Sequence, residues 1–239
     1  MKTAGVLAGL GPLAGAYFYL RLCELTPAAG DEGHIPVVLA SDTTVPSRLD
    51  HLQGIGPSPV PGLQAVGRRL IRAGADFVVM PSSTTSYYQN EIQAGLSVPM
   101  ISMIEEVATT LAQEGYARVG LLGTTPTRTY GVYEEAFARH HLAIVYPDEA
   151  SQNETMQIIW EVKGHGNFQP GRISTPKTSA PLLDILNRAW SGSTDVILLA
   201  CTELPVVGRF LLAQRTERPV VSATDILAKA TIRYAMAES

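Results

Sequence analysis

The sequence predicts an α/β protein of two pseudo-symmetric domains, each a parallel sheet flanked by helices, with the active site in the cleft between them. Three observations carry this expectation. Apolar runs of strand length alternate with stretches of helical periodicity. A set of landmarks recurs about half a chain later. Several of the strand-like runs end in short polar turns, the place where open parallel sheets bind ligands.

Strand-length runs fall at Ala4 to Ala8, Pro36 to Ala40, Phe77 to Met80 and Val98 to Ser102, with helical patterns at 13–25, 63–73 and 103–114. The order returns at Val119 to Leu122, Leu142 to Val145, Val196 to Ala200 and Val220 to Ser222, with helical patterns at 129–140, 152–163, 182–190 and 223–236. Parallel strands need a crossover, and the intervening helices supply it. The clearest internal match sets Ala75-Asp76-Phe77-Val78-Val79-Met80-Pro81-Ser82-Ser83 beside Thr194-Asp195-Val196-Ile197-Leu198-Leu199-Ala200-Cys201-Thr202. Asp76 and Asp195, Ser82 and Cys201, and Leu63 and Leu182 each lie 119 residues apart, and Pro99 and Pro219 lie 120 apart. The expected domains are residues 1–108 with 216–239, and residues 109–215.

With 239 residues, 46% hydrophobic and 17% charged, the chain has ample material for a core. Its 18 basic and 22 acidic residues give a net charge of -4 without a run of like charges, so neither a nucleic-acid nor an anionic-membrane footprint is present. The expected partner is a small molecule held by local groups. Cys23 lies on an apolar helical face and Cys201 at a strand end, contexts that argue against a disulfide framework. Gly9, Gly11, Pro12 and Gly15 break the apolar N-terminal stretch, which reads as strand, turn and helix rather than a signal peptide. No run reaches membrane length, and a cytoplasmic location is expected.

Cys201-Thr202-Glu203-Leu204-Pro205 closes a strand and opens a helix, whose N-terminus would lower the thiol pKa and favour thiolate. The plain alternative is a small buried hydrophobe. In Ser82-Ser83-Thr84 the hydroxyls and free backbone N–H groups suit a carboxylate or an oxyanion, although simple N-capping accounts for one of them. Gly9-Leu10-Gly11-Pro12-Leu13-Ala14 fits the dinucleotide pattern weakly. Pro12 removes an N–H, and no acidic residue stands about 20 residues on, so a tight turn admitting a carboxylate to the backbone is the cheaper reading. Thr124-Thr125-Pro126-Thr127 is either an anion cradle or a helix cap. Arg48 and Lys163 are candidate partners for substrate carboxylates, against the ordinary solvated state of such residues. His34, His51, His140, His141 and His165 lack ligand spacing, so no metal site is expected. Gly54 to Gly62 and Gly164 to Ala180 read as loops, the second either a lid or a plain surface loop.

Taken together, the Gly9-x-Gly11-Pro12 turn, Val45-Pro46-Ser47-Arg48, the Pro81 turn, Leu121-Leu122-Gly123-Thr124, Val162-Lys163-Gly164 and Cys201-Thr202-Glu203-Leu204-Pro205 resemble, in family order, the aspartate/glutamate racemase family. The resemblance covers nearly the whole chain. It implies a homodimer without a cofactor, acting on an acidic amino acid or dicarboxylate. It also implies two acid/base groups flanking the α-carbon. Cys201 matches one of the family's two cysteines; the family's Pro-Cys-Asn-Thr stands here as Pro81-Ser82-Ser83-Thr84, so Ser82 replaces the other. By the same resemblance Arg48 and Lys163 hold carboxylates, while Gly11, Ser83, Thr84, Thr124, Thr202 and Glu203 bind substrate or stabilise its carbanion. Alternatives are a single-thiol decarboxylase or cis-trans isomerase of a dicarboxylate, and a non-catalytic dicarboxylate or amino-acid binder.

Overall fold

The computed structural model describes residues 1–164, 176–190, 194–208, 216 and 218–237. In chain order the elements are β1 (Ala4–Ala8), α1 (Pro12–Leu25), β2 (Val37–Ser41), α2 (Arg48–Leu52), α3 (Val60–Arg72), β3 (Phe77–Val79), α4 (Gln89–Ala94), β4 (Met100–Ile101), α5 (Met103–Gln113), β5 (Arg118–Leu122), α6 (Thr125–Thr129), α7 (Glu134–Arg139), β6 (Ala143–Val145), α8 (Glu149–Val162), α9 (Pro176–Arg188), β7 (Val196–Leu199), α10 (Leu204–Gly208), β8 (Val220–Ser222) and α11 (Ala223–Met236). The chain divides into two units, Met1–Glu106 with Thr224–Ser239, and Val107–Ala223. It passes from the first to the second inside α5 and returns at the start of α11.

Each unit holds a four-stranded parallel sheet, ordered β2-β1-β3-β4 in the first and β6-β5-β7-β8 in the second. The repeated sequence landmarks are thus a repeated topology. In each sheet the connections diverge between the two central strands, β1 and β3 or β5 and β7. That divergence is the switch point where open α/β sheets bind ligands. The Gly9–Gly11 and Pro81–Ser83 turns flank it in the first unit, and Gly123–Thr125 and Ala200–Cys201 flank it in the second.

The matched aspartates explain why the repeat is so clear at its start. Asp76 accepts a hydrogen bond from Thr3 N at 2.7 Å. Asp195 accepts from Ala117 N at 3.0 Å and Arg118 N at 2.8 Å. Each carboxylate ties the entry of one central strand to its neighbour. Beyond them, β1, β3 and β7 are buried at every residue, as strands covered on both faces must be. On α3, Val60, Leu63, Val66 and Leu70 recur at helical spacing and face Leu7, Val78 and Met80 in one core. Fully burying such a leucine contributes roughly 1.5–3 kcal/mol. α1 lies still closer to the sheet, since a Cβ on Gly15 would stand 2.6 Å from Ala8 Cβ.

Three expectations are corrected. The pattern at 129–140 is not one helix: Thr124 caps an earlier start, and Gly131, at φ 58, separates α6 from α7 in a conformation that favours glycine. The Gly54 to Gly62 loop ends early because α3 starts at Val60, where Pro61 costs no helical hydrogen bond. For Gly164 to Ala180, residues 165–175 lie outside the described residues, among them His165, Gly166, Gln169, Pro170 and Gly171; α9 already begins at Pro176. No helix among the described residues is long and apolar enough to cross a membrane.

Candidate active site

In the second unit Ala200 N still bonds Leu122 O at 2.8 Å, holding the chain to the sheet up to Cys201. Cys201, Thr202 and Glu203 are all buried. The Cys201 thiol donates to Glu203 Oε2 at 3.0 Å, and Thr202 Oγ1 donates to the same oxygen at 3.4 Å. The other carboxylate oxygen pairs with the ammonium of Lys163, the residue that caps the C-terminus of α8. A buried carboxylate alone would be costly, and the ammonium offsets that cost. Sulfur, carboxylate and ammonium therefore form one continuous chain.

This arrangement corrects the expected thiol ionisation. Burial pushes the Cys201 thiol well above its ordinary range, the Glu203 charge pushes it further, and Lys163 pulls it only part of the way back. At rest the sulfur keeps its proton, and it becomes a base only by passing that proton on. Glu203 is the acceptor already in hydrogen-bond contact.

The Thr124 turn across the switch point behaves as a helix cap. Thr124 Oγ1 accepts from Thr127 N at 3.2 Å and bonds the Thr127 hydroxyl at 2.9 Å. Met156 Sδ takes the Thr125 N–H at 3.2 Å, so a second amide of the turn is occupied. Gln152, buried on α8, donates to Gly123 O at 3.1 Å and to Thr125 Oγ1 at 3.3 Å. Nothing in the sequence singled out Gln152, because a polar helix residue declares its burial only once its neighbours are known.

In the first unit the hydroxyl run forms a tight 3-10 turn, Thr84–Tyr88, before α4. Ser82 Oγ shares a hydrogen bond with Thr85 Oγ1 at 2.8 Å, and Ser86 bonds Ser82 O through its amide and its hydroxyl, each at 3.1 Å. Ser83 occupies the cap position without capping; its hydroxyl donates to Met103 Sδ at 3.8 Å. Thr85 and Ser86 are thus spent on the turn itself. Among the described residues the Ser82 hydroxyl has no ionisable hydrogen-bond partner. Thr84 is half-buried on the same turn.

Arg48 opens α2 and donates to Leu10 O at 3.1 Å and to Pro46 O at 3.5 Å. It thereby sits over the Gly9–Gly11 turn, and the sequence-predicted Arg48 and Gly11 are brought together. Gly9 itself is filled from outside: at φ 94, a Cβ there would lie 2.4 Å from Asp42 N. Close backbone approach was anticipated, but the approaching group is Asp42. A further link had no sequence signal: His51 Nδ1 meets the buried Tyr88 hydroxyl at 2.8 Å, joining α2 to the end of the serine turn. Among the described residues no cluster of His, Cys, Asp and Glu suits a metal.

Comparison with known proteins bears on the family and the fold. Residues 7–231 match a family model described as Asp/Glu/Hydantoin racemase. The broad specificity amino-acid racemase RacX of Bacillus subtilis is 27% identical over 235 residues, covering 95% of this chain and 96% of that protein. The aspartate racemase of Picrophilus torridus superposes with a TM-score of 0.80 at 27% identity, over 98% of this chain and 94% of that one. An aspartate racemase homologue from Pyrococcus horikoshii, 24% identical, shares the fold with a TM-score of 0.76 over 99% of this chain and 100% of that one.

Proposed function

The chain belongs to the Asp/Glu/hydantoin racemase family, an isomerase family, and from that premise we propose that it inverts an amino acid by removing and returning the α-proton. Cys201 serves one face of the α-carbon as thiol acid and base; Ser82 serves the other through its hydroxyl. The observation that carries this is the Cys201–Glu203 hydrogen bond, which gives a buried thiol a route to thiolate. No cofactor is invoked.

The substrate proposed is an acidic amino acid, aspartate or glutamate. Arg48, fixed over the Gly9–Gly11 turn, is the group for a carboxylate, since a guanidinium presents a planar fork of donors. Lys163 is paired with Glu203, so it holds a substrate carboxylate by sharing its ammonium. Ser83, Thr84, Thr124 and Thr202 are proposed to orient the substrate or stabilise its carbanion. The Picrophilus relative is named for aspartate and the Bacillus relative for broad specificity, so the test panel includes neutral and basic amino acids. The homodimer and cytoplasmic location implied by the resemblance belong to the same proposal.

A hydroxyl is a far weaker acid than a thiol, so Ser82 limits the rate. The enantiomers have equal free energy in solution, and a weak partner on one face therefore slows both directions equally. Ser82→Cys is expected to raise kcat/KM for inversion from L and from D by one common factor, read by chiral chromatography at substrate well below KM. No gain in kcat/KM from either enantiomer would contradict the role given to Ser82. A single-thiol decarboxylase or cis-trans isomerase is the second reading, favoured by the pairing of the Ser82 hydroxyl with another hydroxyl, that of Thr85. Carbon dioxide release from a malonate, or isomerisation of maleate, without inversion of any amino acid would select it.

A further inference from the structure

The two matching turns are unequal in more than the thiol. Ser82, Ser83 and Thr84 stand 119 residues before Cys201, Thr202 and Glu203, so the first of the two turns lacks both the sulfur and the carboxylate. The second unit also connects its thiol to water. Cys201 is 5% exposed, and the Glu203 side chain 4%, whereas the Lys163 side chain is 28% exposed. Buried sulfur, buried carboxylate and partly solvated ammonium are linked in that order by the Cys201–Glu203 hydrogen bond and the Glu203–Lys163 ion pair.

We propose that Glu203 and Lys163 form a proton relay between Cys201 and water, so that one enantiomer exchanges its α-proton with retained configuration faster than it inverts. This rests on the racemase reading and deepens it. The S–H bond breaks and an O–H bond forms at Glu203 Oε2, leaving thiolate. The thiolate takes the α-proton, and the carbon keeps the electron pair as a resonance-stabilised carbanion. Lys163 gives a proton to water and its amine takes the proton from Glu203, restoring carboxylate and ammonium; the substrate-derived proton on sulfur then leaves to water by the same two transfers. A solvent proton then returns by the same steps to the same face of the carbon. Ser82, bonded to Thr85, delivers its proton to the opposite face more slowly.

Each enantiomer of an amino acid that the protein turns over is incubated with the protein in deuterated water, with loss of α-proton followed by NMR and configuration by chiral chromatography. The panel covers aspartate, glutamate and neutral and basic amino acids. For one enantiomer, deuterium enters with retention about tenfold or more faster than inversion, while its mirror image exchanges only as it inverts. Glu203→Gln, folded by circular dichroism, removes that excess exchange by about 100-fold. Exchange no faster than inversion for both enantiomers overturns the relay, and this comparison needs no variant. Excess exchange undiminished in folded Glu203→Gln also overturns it. Absence of exchange and inversion for the whole panel, in the parent and in Ser82→Cys, contradicts the racemase reading itself and the relay with it.

Discussion

At Cys201 three side chains of one unit stand in contact: sulfur, the Glu203 carboxylate and the Lys163 ammonium. Cys201 stood out in the sequence because it ends a strand whose counterpart lies 119 residues earlier, whereas Glu203 was expected only as a substrate-binding residue. Lys163 was visible as a cation, but its partner lies 40 residues away and belongs to tertiary structure. The sign of the thiol's shift was misjudged for a related reason, since a strand end and a helix start are local signals while burial is not. Among exposed residues, Asp195 is held below the usual carboxylate range by the amides of Ala117 and Arg118. Asp42 is lowered to about 2 by Thr44 and then by Arg69. Folded values below the unfolded one mean stability that is complete above about pH 5 and is lost as pH falls through about 4 toward 2. Melting temperature is expected to decline over that window, and Asp195→Asn to weaken the decline; an unchanged pH profile in the variant contradicts the strand-tying role.

The helices and strands are mostly where periodicity put them, and their failures are instructive. α2 and α4 span fewer than two turns, too short for a periodic pattern to declare itself. Pro181 lies inside α9 and concealed its first turn, because proline ordinarily ends a helical pattern. Gly15 was read as a breaker of a signal-like stretch, whereas its place in α1 is set by contact with Ala8. Gly15→Ala is expected to push α1 from β1 and cost about 1–3 kcal/mol in chemical denaturation. Gly74→Ala meets no atom within 4 Å, and its cost, about 1–2 kcal/mol, comes from the positive φ alone. Equal effects on the α1 amides in hydrogen exchange would contradict this distinction. α8 carries both the Gln152 that braces the Thr124 turn and the Lys163 cap. Gln152→Ala is expected to cost about 1–2 kcal/mol through the carbonyl left unpaired at Gly123.

Over the whole molecule, duplication was the most legible feature because the same sheet order is used twice. The first unit is discontinuous and needs the last helix: Arg21 pairs with Asp225 at 2.8 Å, Lys2 N bonds Ala235 O at 2.8 Å, and Phe77 packs on Tyr234. Truncation after Ala223 is expected to strip hydrogen-exchange protection from β1 and β3; retained protection there contradicts that dependence. Family membership covers nearly all of the chain, and Cys201 is the residue on which the proposed racemisation stands. The decisive measurement is inversion of the L and D forms of aspartate, glutamate and neutral and basic amino acids, by chiral chromatography, for the parent and for Cys201→Ala. Inversion of at least one amino acid by the parent, reduced by on the order of 1,000-fold in a folded Cys201→Ala, is the predicted result. An undiminished rate in that variant, or no inversion of any amino acid by the parent, would contradict it.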